Sequence, residues 1–551
     1  MHGRLKLRPP DAARRRQREE KLRHYREAMD ALLGELGVPP AQVLSLTGSV
    51  LAANPDVGTC WNLRRRALAA LGGDWVPSEL SFVAQCLAVN PKSYGAWHQR
   101  RWALARPGAA APPGGREELA LCERLLGADP RNFHAWEHRR ALAVQQDAEA
   151  ELAFAGALLS RDFSNFSAWH HRLRLLAPAR GQGTGTGTGT AGALPAPRLR
   201  EELELVQNAV FTDPTDQSAW VYLRCILSRA PPPPRVICVH VDREDATLAV
   251  IFSRPVKVNP EHPELTATLD GSALPGPWRS AEGRPRPSHT WLCDLPAPPT
   301  ESPAHLEVTW APDSALREVT LHPGEDEAWW QEPIVERELF WPELGVADTQ
   351  VLQEQVQMCQ ELLELEPQSR GCLLTLALLL AALEPRGRAR EIREHLATLR
   401  DADPLRAGFV ADVRSRFEAA LAVLGAGEGL SLSNKGLTSV PLLERMSALT
   451  RLELPGNELR ALPAALGTLR RLTELDLSGN HVTEVGAAPP LPRLRLLRLD
   501  RNPIGHAPAL APLAAWPRLA LLGLADTPLG SAPGGPAQLA ELLPGVDVTF
   551  S

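Results

Sequence analysis

One phrase is written five times along the first half of the chain: NPDVGTCWNLRR from Asn54, NPKSYGAWHQRR from Asn90, DPRNFHAWEHRR from Asp129, DFSNFSAWHHRL from Asp162 and DPTDQSAWVYLR from Asp213. The tryptophans are Trp61, Trp97, Trp136, Trp169 and Trp220, each six residues after a proline slot that Phe163 fills in the fourth copy. Their spacing is mostly 33 to 39 residues, a period that predicts stacked helical pairs.

Each unit can be read physically. A residue before proline is pushed out of the α region, so Asn-Pro or Asp-Pro ends the incoming helix, and a second helix begins near Ser93, Asn132, Ser164 or Thr215. In that second helix the Trp and an Arg three or four residues on (Arg64, Arg100, Arg139, Arg172, Arg224) share one face. First helices carry apolar stripes, as in Leu80, Val83, Ala84 and Leu87, which no unit can bury without neighbours. The expected product is a curved right-handed stack. Its second helices are expected to expose a concave partner surface built from Trp61, Arg64, Trp97, His98, Arg101, Trp136, Arg139, Trp169, His170, Arg172, Trp220 and Arg224. A degenerate sixth unit surrounds Pro367, with Leu373 in the Trp slot, and a seventh is expected near Pro404.

Two other periods follow. From Arg235 to about Gly324, segments such as VICVHV, TLAVIF and HLEVTW alternate between Pro and Gly clusters and predict a small antiparallel β-sandwich. Cys238 and Cys293 are spaced like an immunoglobulin disulfide pair, but Trp278 and Trp291 fall too late to be the core Trp of such a domain, so a reduced immunoglobulin-like topology is expected. Scattered Asp242, Asp245, Asp270 and Asp294 argue against calcium. Beyond Gly427 the phrase becomes Leu-x-x-Leu-x-Leu-x-x-Asn, with Asn457, Asn480 and Asn502 in register, Lys435 and Thr527 in the outer Asn slots, and the spacing of leucine-rich repeats. The expected domains are helical repeats over 1–230, a sandwich insert over 235–324, further helical repeats over 338–424 and a leucine-rich domain over 427–551.

Tetratricopeptide repeats also run Asp-Pro then Ala-Trp, but they next place Leu-Gly, where three copies here place Arg-Arg. The series Asn-Pro-x5-Trp-x-x-Arg-Arg instead resembles the repeats of protein prenyltransferase α subunits. With the insert and the leucine-rich domain added, the chain resembles the animal Rab-modifying branch of that family. The farnesyl and type I geranylgeranyl branches, whose α subunit has helical repeats alone, are the alternative within the family. A scaffold of helical and leucine-rich repeats that catalyses nothing is the alternative outside it.

No catalytic centre is visible in the chain by itself. G-x-x-x-x-G-K-[ST], G-x-S-x-G and dinucleotide fingerprints are absent. His134 and His138 are four apart, but HAWEH has its Glu in the wrong place for a metalloprotease, and repeat position accounts for both. His98, His170 and His171 read as a polar interface row, and no metal site is expected on this chain. The resemblance implies a β subunit that holds zinc and the geranylgeranyl diphosphate pocket, with magnesium admitted in the assembled enzyme. It further implies transfer to C-terminal cysteines of Rab GTPases presented by a Rab escort protein. In the family a Lys and a Tyr of the second repeat assist the diphosphate leaving group; the matching residues are Lys92 and Tyr94. Only repeat two pairs a Lys after the proline with a Tyr two residues later. The resemblance covers the MHGRLK start, where His2 would be a ligand or plug at the partner's active site unless the terminus is simply frayed.

Composition fits a cytosolic multidomain protein. A net charge of −6 argues against nucleic acid, no apolar run reaches the ~18 residues of a membrane helix, and eight scattered cysteines without C-x-x-C predict a reduced compartment. The Arg-rich start carries Glu19, Glu20 and Glu27 and reads as a solvated helix. GQGTGTGTGT after Arg180 is expected to be flexible loop.

Overall fold

A computed structural model describes residues 12–34, 38–106, 115–143, 147–181, 194–228, 233–259, 264–274, 276–283, 286–296, 301–340, 344, 349–486 and 491–550. His2 and the Gly/Thr tract beyond Gly181 lie outside the described residues. Two compact units divide the chain, Met1–Pro178 and Ala179–Ser551.

In the first unit a helix over Ala12–Gly34 precedes four helical pairs. They are Pro40–Ala53 with Gly58–Leu71, Val76–Val89 with Tyr94–Leu104, Gly115–Ala128 with Phe133–Ala143, and Ala148–Leu159 with Phe166–Gly181. Asn54 and Asn90 leave the helix for extended backbone, as residues before proline must. The next helix is then capped by a side chain: Ser93 Oγ accepts the amide of Ala96, Asn132 Oδ1 those of His134 and Ala135, and Asn165 Oδ1 that of Ala168. In the second unit Asp216 does the same for Ser218. The fourth and fifth caps therefore fall one residue beyond the expected Ser164 and Thr215.

The fixed interval between proline and tryptophan has a direct cause. Trp61 Nε1 donates to the Pro55 carbonyl at 2.8 Å, Trp97 to Pro91 at 2.9 Å, Trp136 to Pro130 at 2.8 Å, Trp169 to Phe163 at 2.8 Å and Trp220 to Pro214 at 3.0 Å. The same carbonyl accepts a second bond from the following repeat: Ser93 Oγ reaches Pro55 at 2.8 Å, Asn132 Nδ2 reaches Pro91 at 3.0 Å and Asn165 Nδ2 reaches Pro130 at 3.3 Å. Each indole closes its own loop while the loop is tied to its neighbour. An added Cβ at Gly95 would overlap the Trp61 ring, which is why that slot stays small.

A buried acid sits between successive repeats. Glu79 accepts Arg64 of the repeat before it (2.7–2.9 Å) and Gln99 of its own repeat at 2.8 Å. Glu118 takes Arg100 (2.5–2.6 Å) and His138 at 2.8 Å; Glu151 takes Arg139 (2.7–2.9 Å) and His171 at 2.9 Å. In the second unit Glu202 accepts Tyr222 at 2.6 Å from the same slot. A charge buried this deeply is tolerated only when paired and hydrogen-bonded on both oxygens.

The second unit opens with the pair Ala196–Thr212 and Gln217–Leu227 and resumes with Thr349–Leu365 and Arg370–Leu383, then Ala389–Ala402 and Ala407–Val423. Leu373 is buried in the Trp slot, Ser369 Oγ donates to Pro214 at 3.1 Å, and Gly371 lies against the Trp220 ring. Repeat six thus stacks directly on repeat five.

Between them lies the sandwich. One antiparallel sheet runs in the order Arg279–Ser280, Ser288–Asp294, Thr247–Val256, Val236–Asp242, Glu327–Gln331, and the other Ser272–Ala273, Leu265–Leu269, Ala304–Trp310, Leu316–Leu321. Their shared core includes Val239, Phe252, Trp291, Trp310 and Cys293. Cys238 is free and buried with Ile237 and Ile251 in a separate cluster outside the sandwich core, on the same sheet as Cys293, so the two thiols do not face each other across the core. The strand Glu327–Gln331 pairs with Val236–Asp242, which carries the insert past the expected end at Gly324.

The C-terminal part is a parallel sheet of six short strands from Gly429–Ser431 to Asp547–Thr549, in sequence order. Asn457, Asn480 and Asn502 hold its turns: each Nδ2 donates to the carbonyl of its own turn and of the preceding one, and each Oδ1 accepts an amide of the preceding turn, from Leu437, Leu459 and Val482 respectively. Thr527 Oγ1 substitutes with one bond to Leu524. This part is keyed to the insert by arginines. Arg471 Nε lies 3.1 Å from Glu327 with its guanidinium over the Trp329 ring, Arg493 reaches Asp242 at 2.6 Å and Glu327 at 3.1 Å, and Arg445 reaches Glu332 at 3.5 Å.

Candidate functional site

The loop of repeat two ends in Lys92 and enters its second helix at Tyr94. Both side chains are exposed, Tyr94 by 71%. Lys92 Nζ is 2.8 Å from Asp129 Oδ2, and this hydrogen bond is the main reason the Asp129 carboxyl is held below its ordinary value. The ring of Tyr94 stands edge-on to His134 with centroids 4.4 Å apart and lies 5.8 Å from Phe133. His134 is buried and hydrogen-bonded to the backbone of Lys92, while its Nε2 has no hydrogen-bond partner. Burial pushes its pKa down and the nearby Arg101 adds to this, against the opposing effects of Glu137 and of the Lys92 backbone bond. The buried group beneath Tyr94 that sequence reasoning missed is therefore His134, set aside there as a repeat-slot residue. Its only sequence signal is a histidine in the helix slot where Gly95 and Ser167 stand in neighbouring copies.

The tryptophans do not form the expected partner surface. Trp61, Trp97, Trp136, Trp169 and Trp220 are at most 2% exposed, because each indole must reach the carbonyl of its own loop. Arg64, Arg139 and Arg172 are buried with them, the first two on Glu79 and Glu151, and Arg172 donating to the Leu152 carbonyl at 2.8 Å. Arg224 is half-buried and donates to Thr375 at 2.9 Å. His98, Arg101 and His170 are the members of the expected set that are exposed. Spacing established that Trp and Arg share a face; it could not say that this face points inward.

The outward face of the second helices is instead set by the positions three, seven and ten residues after the proline slot, which fall on one helical stripe. They hold Tyr94, His98 and Arg101 in repeat two, Phe133, Glu137 and Arg140 in repeat three, and Phe166 and His170 in repeat four. Phe133 and Phe166 are about half exposed, at 48% and 54%. Arg101 bridges to Glu137 at 2.9 Å, and Arg65 of repeat one reaches His98 at 3.2 Å and Gln99 at 3.0 Å. Burial, then Arg65 and Arg101, lowers the pKa of His98; burial, then Arg140 and Arg174, lowers that of His170. Among the described residues of this face, imidazoles whose pKa is lowered lie among fixed cations beside three exposed aromatic rings.

Nothing in this arrangement fits a resident metal. His138 Nε2 is taken by Glu118, away from His134, and among the described residues no group of three His, Cys, Asp or Glu side chains is arranged to hold an ion. Burial pushes the Cys86 and Cys122 thiols up to about 12, which makes these two poor ligands. Among the described residues no helix is long and apolar enough to cross a membrane.

Comparison with known proteins places these features in a family. The model described as protein prenyltransferase alpha subunit repeat matches residues 76–107, 116–146, 148–177 and 199–230, and that described as Rab geranylgeranyl transferase alpha-subunit, insert domain, matches residues 236–334. A Mus musculus protein named geranylgeranyl transferase type-2 subunit alpha is 43% identical over 567 residues, covering 99% of both chains. The Homo sapiens protein of the same name is 42% identical over 564 residues, again covering 99% of both. A solved structure titled Candida albicans protein geranylgeranyltransferase-I complexed with GGPP overlaps 38% of this chain and 66% of that chain at 23% identity, with a TM-score of 0.32.

Proposed function

The chain belongs to the geranylgeranyl transferase type-2 α-subunit family, and from that premise we propose that it is the α subunit of a heterodimer that transfers geranylgeranyl groups to C-terminal cysteines of Rab GTPases. A β subunit completes the enzyme and binds geranylgeranyl diphosphate; a Rab escort protein presents the substrate. The insert is an immunoglobulin-like sandwich and the C-terminal sheet a leucine-rich repeat domain. Zinc would be held by the β subunit, where it would lower the pKa of the acceptor thiol. Magnesium has no assigned place on this chain. The assembly works in the cytosol.

The observation that carries this reading is the grouping of Lys92, Tyr94 and His134 at one edge of an exposed aromatic and basic face. As the bond from C1 to the diphosphate oxygen breaks, negative charge grows on the leaving group. A positioned ammonium and a phenol hydroxyl can each donate to it, and they stabilise the transition state more than the bound substrate, while the buried His134 ring backs Tyr94 edge-on. Asp129 holds the ammonium in place until a diphosphate competes for it. Tyr94, Phe133, Phe166, His98, Arg101 and His170 form the surface for the β subunit, a mixture of aromatic and arginine side chains of the kind that anchors interfaces.

Co-expression with a prenyltransferase β subunit tests the proposal. A stable heterodimer that prenylates an escorted Rab, and loses turnover when Lys92 is replaced, is expected. A chain that neither captures a β subunit nor supports transfer would return the scaffold reading.

A further inference from the structure

Where the helices Ala389–Ala402 and Ala407–Val423 meet the first turns of the C-terminal sheet, a cleft of about 710 Å³ opens. A second hollow of about 510 Å³ continues it, and the two share Thr438, Glu458 and Arg460. Together they form one groove with two chemistries.

The first half is basic. Arg393, Arg400, Arg414, Lys435 and Arg460 line it against only Glu418 and Glu458, in a chain whose net charge is −6. Glu418 is buried and already occupied, accepting Arg393 at 2.6 and 2.9 Å with Lys435 3.9 Å away. Arg414 donates to a carbonyl, that of Lys435, at 3.2 Å, and among the described residues Arg400 has only its sequence neighbour Asp401 at 3.3 Å. The cations therefore exceed the carboxylates available to them. Leu396 and Val410 form an apolar floor beneath. The second half is walled by Val440, Pro441, Leu462 and Pro463, with Arg460 at its entrance.

We propose that this groove binds an extended acidic segment of a partner protein, its carboxylates over Arg400, Arg414, Lys435 and Arg460 and the apolar residues that follow seated between Pro441 and Pro463. Charge complementarity selects the acidic half. A free anion would fill the basic end and leave the apolar end empty; a flat lipid surface cannot enter a concave hollow. The groove lies on elements that contain neither Lys92 nor the exposed aromatic stripe.

The test uses the full chain, assembled with its β subunit, and a fluorescein-labelled peptide carrying a run of glutamates followed by Leu-Pro-Leu, read by fluorescence anisotropy. Saturable binding on the order of 10 μM is expected, weakening at least about tenfold in Lys435→Glu and in Arg460→Glu and strongly with added salt. Replacing the glutamates by glutamines, or the leucines by serines, should each weaken it. Thermal melting checks that the variants are folded, and the milder pair Lys435→Gln and Arg460→Gln replaces them if they are not. Three results overturn the proposal: no saturation, undiminished binding by the folded variants, or displacement of the peptide by inorganic phosphate as effectively as by unlabelled peptide. Binding of phosphatidylserine vesicles in place of the peptide would likewise overturn it in favour of a lipid surface.

Discussion

Lys92 Nζ lies 2.8 Å from Asp129 Oδ2, and one repeat later Arg131 lies 3.4 Å from Asp162 in the same register, so each loop cation is anchored on the acid that opens the next loop. The anchor is shared architecture; the aromatic company is not. Only Lys92 has a tyrosine two residues on and a buried histidine beneath it.

Lys92→Ala should lower the chemical step by about 10- to 1,000-fold in single-turnover kinetics of the assembled enzyme, the range for one lost electrostatic donor. Arg131→Ala, in the equivalent slot, should change it little. Equal losses for the two variants, or a Lys92 effect confined to subunit affinity, would mean that Lys92 is only a link in the loop ladder.

Trp136 and Phe166 separate the buried row from the exposed one. Trp136→Ala removes a fully buried indole and its bond to Pro130, and should cost about 3–5 kcal/mol in urea denaturation. Phe166→Ala should barely move the unfolding midpoint, yet weaken capture of the β subunit in a titration of the two purified chains.

The acids between repeats make stability depend on pH. Burial alone would raise the Glu118 carboxyl, but hydrogen bonds from His138 and Arg100 more than offset it and hold the carboxyl down at about 2 against an ordinary 4.5. A folded pKa below the unfolded one gives stability that is complete above pH 4.5 and is lost as the pH falls toward 2. Glu118→Gln should cost about 3–5 kcal/mol at neutral pH, because Arg100 is left buried without its charge partner. Its unfolding free energy should then fall less steeply across that acid window than that of the wild type, as measured by denaturant titrations at several pH values.

The chain without a β subunit should show no prenyl transfer, since the leaving-group donors lie on it and the isoprenoid pocket does not. Turnover by the purified single chain would contradict the proposed division of labour.

Removing the insert and the C-terminal part together should leave the chemical step of the heterodimer nearly intact. Removing the insert alone should do more harm to solubility and melting, because Arg445, Arg471 and Arg493 lose the acids and the Trp329 ring that cover them. If the double deletion folds, binds its β subunit and still cannot transfer, these modules take part in catalysis.

Much of this was legible in the sequence, because the residues that define the repeat are those whose geometry is fixed by bonds to the backbone. Trp97 must sit six residues beyond Pro91 to reach its carbonyl, and Asn480 must sit three beyond Leu477. What escaped was direction and partnership. Trp and Arg at helical spacing read equally well as an inner or an outer face, and only the carbonyl at the end of the indole decides. Glu118 is one acid in a helix that also carries Glu117 and Glu123, so nothing marked it as the buried one. His134 was hidden for a related reason: its significance lies in Tyr94, a residue of another repeat. The strand beyond Gly324 was missed because EAWWQ alternates weakly and pairs with a segment 85 or more residues earlier.

The bond from Ser369 to the Pro214 carbonyl spans 155 positions of sequence, yet it is the same bond that elsewhere joins adjacent repeats. The sandwich is thus a parenthesis: the helical grammar halts at its opening, and resumes at its close with the next word in agreement. Such an insertion asks nothing of the surrounding stack except that its two ends be near each other. A lineage could therefore acquire or discard the parenthetical domain, together with the C-terminal part keyed to it, while the helical sentence around it went on being spoken.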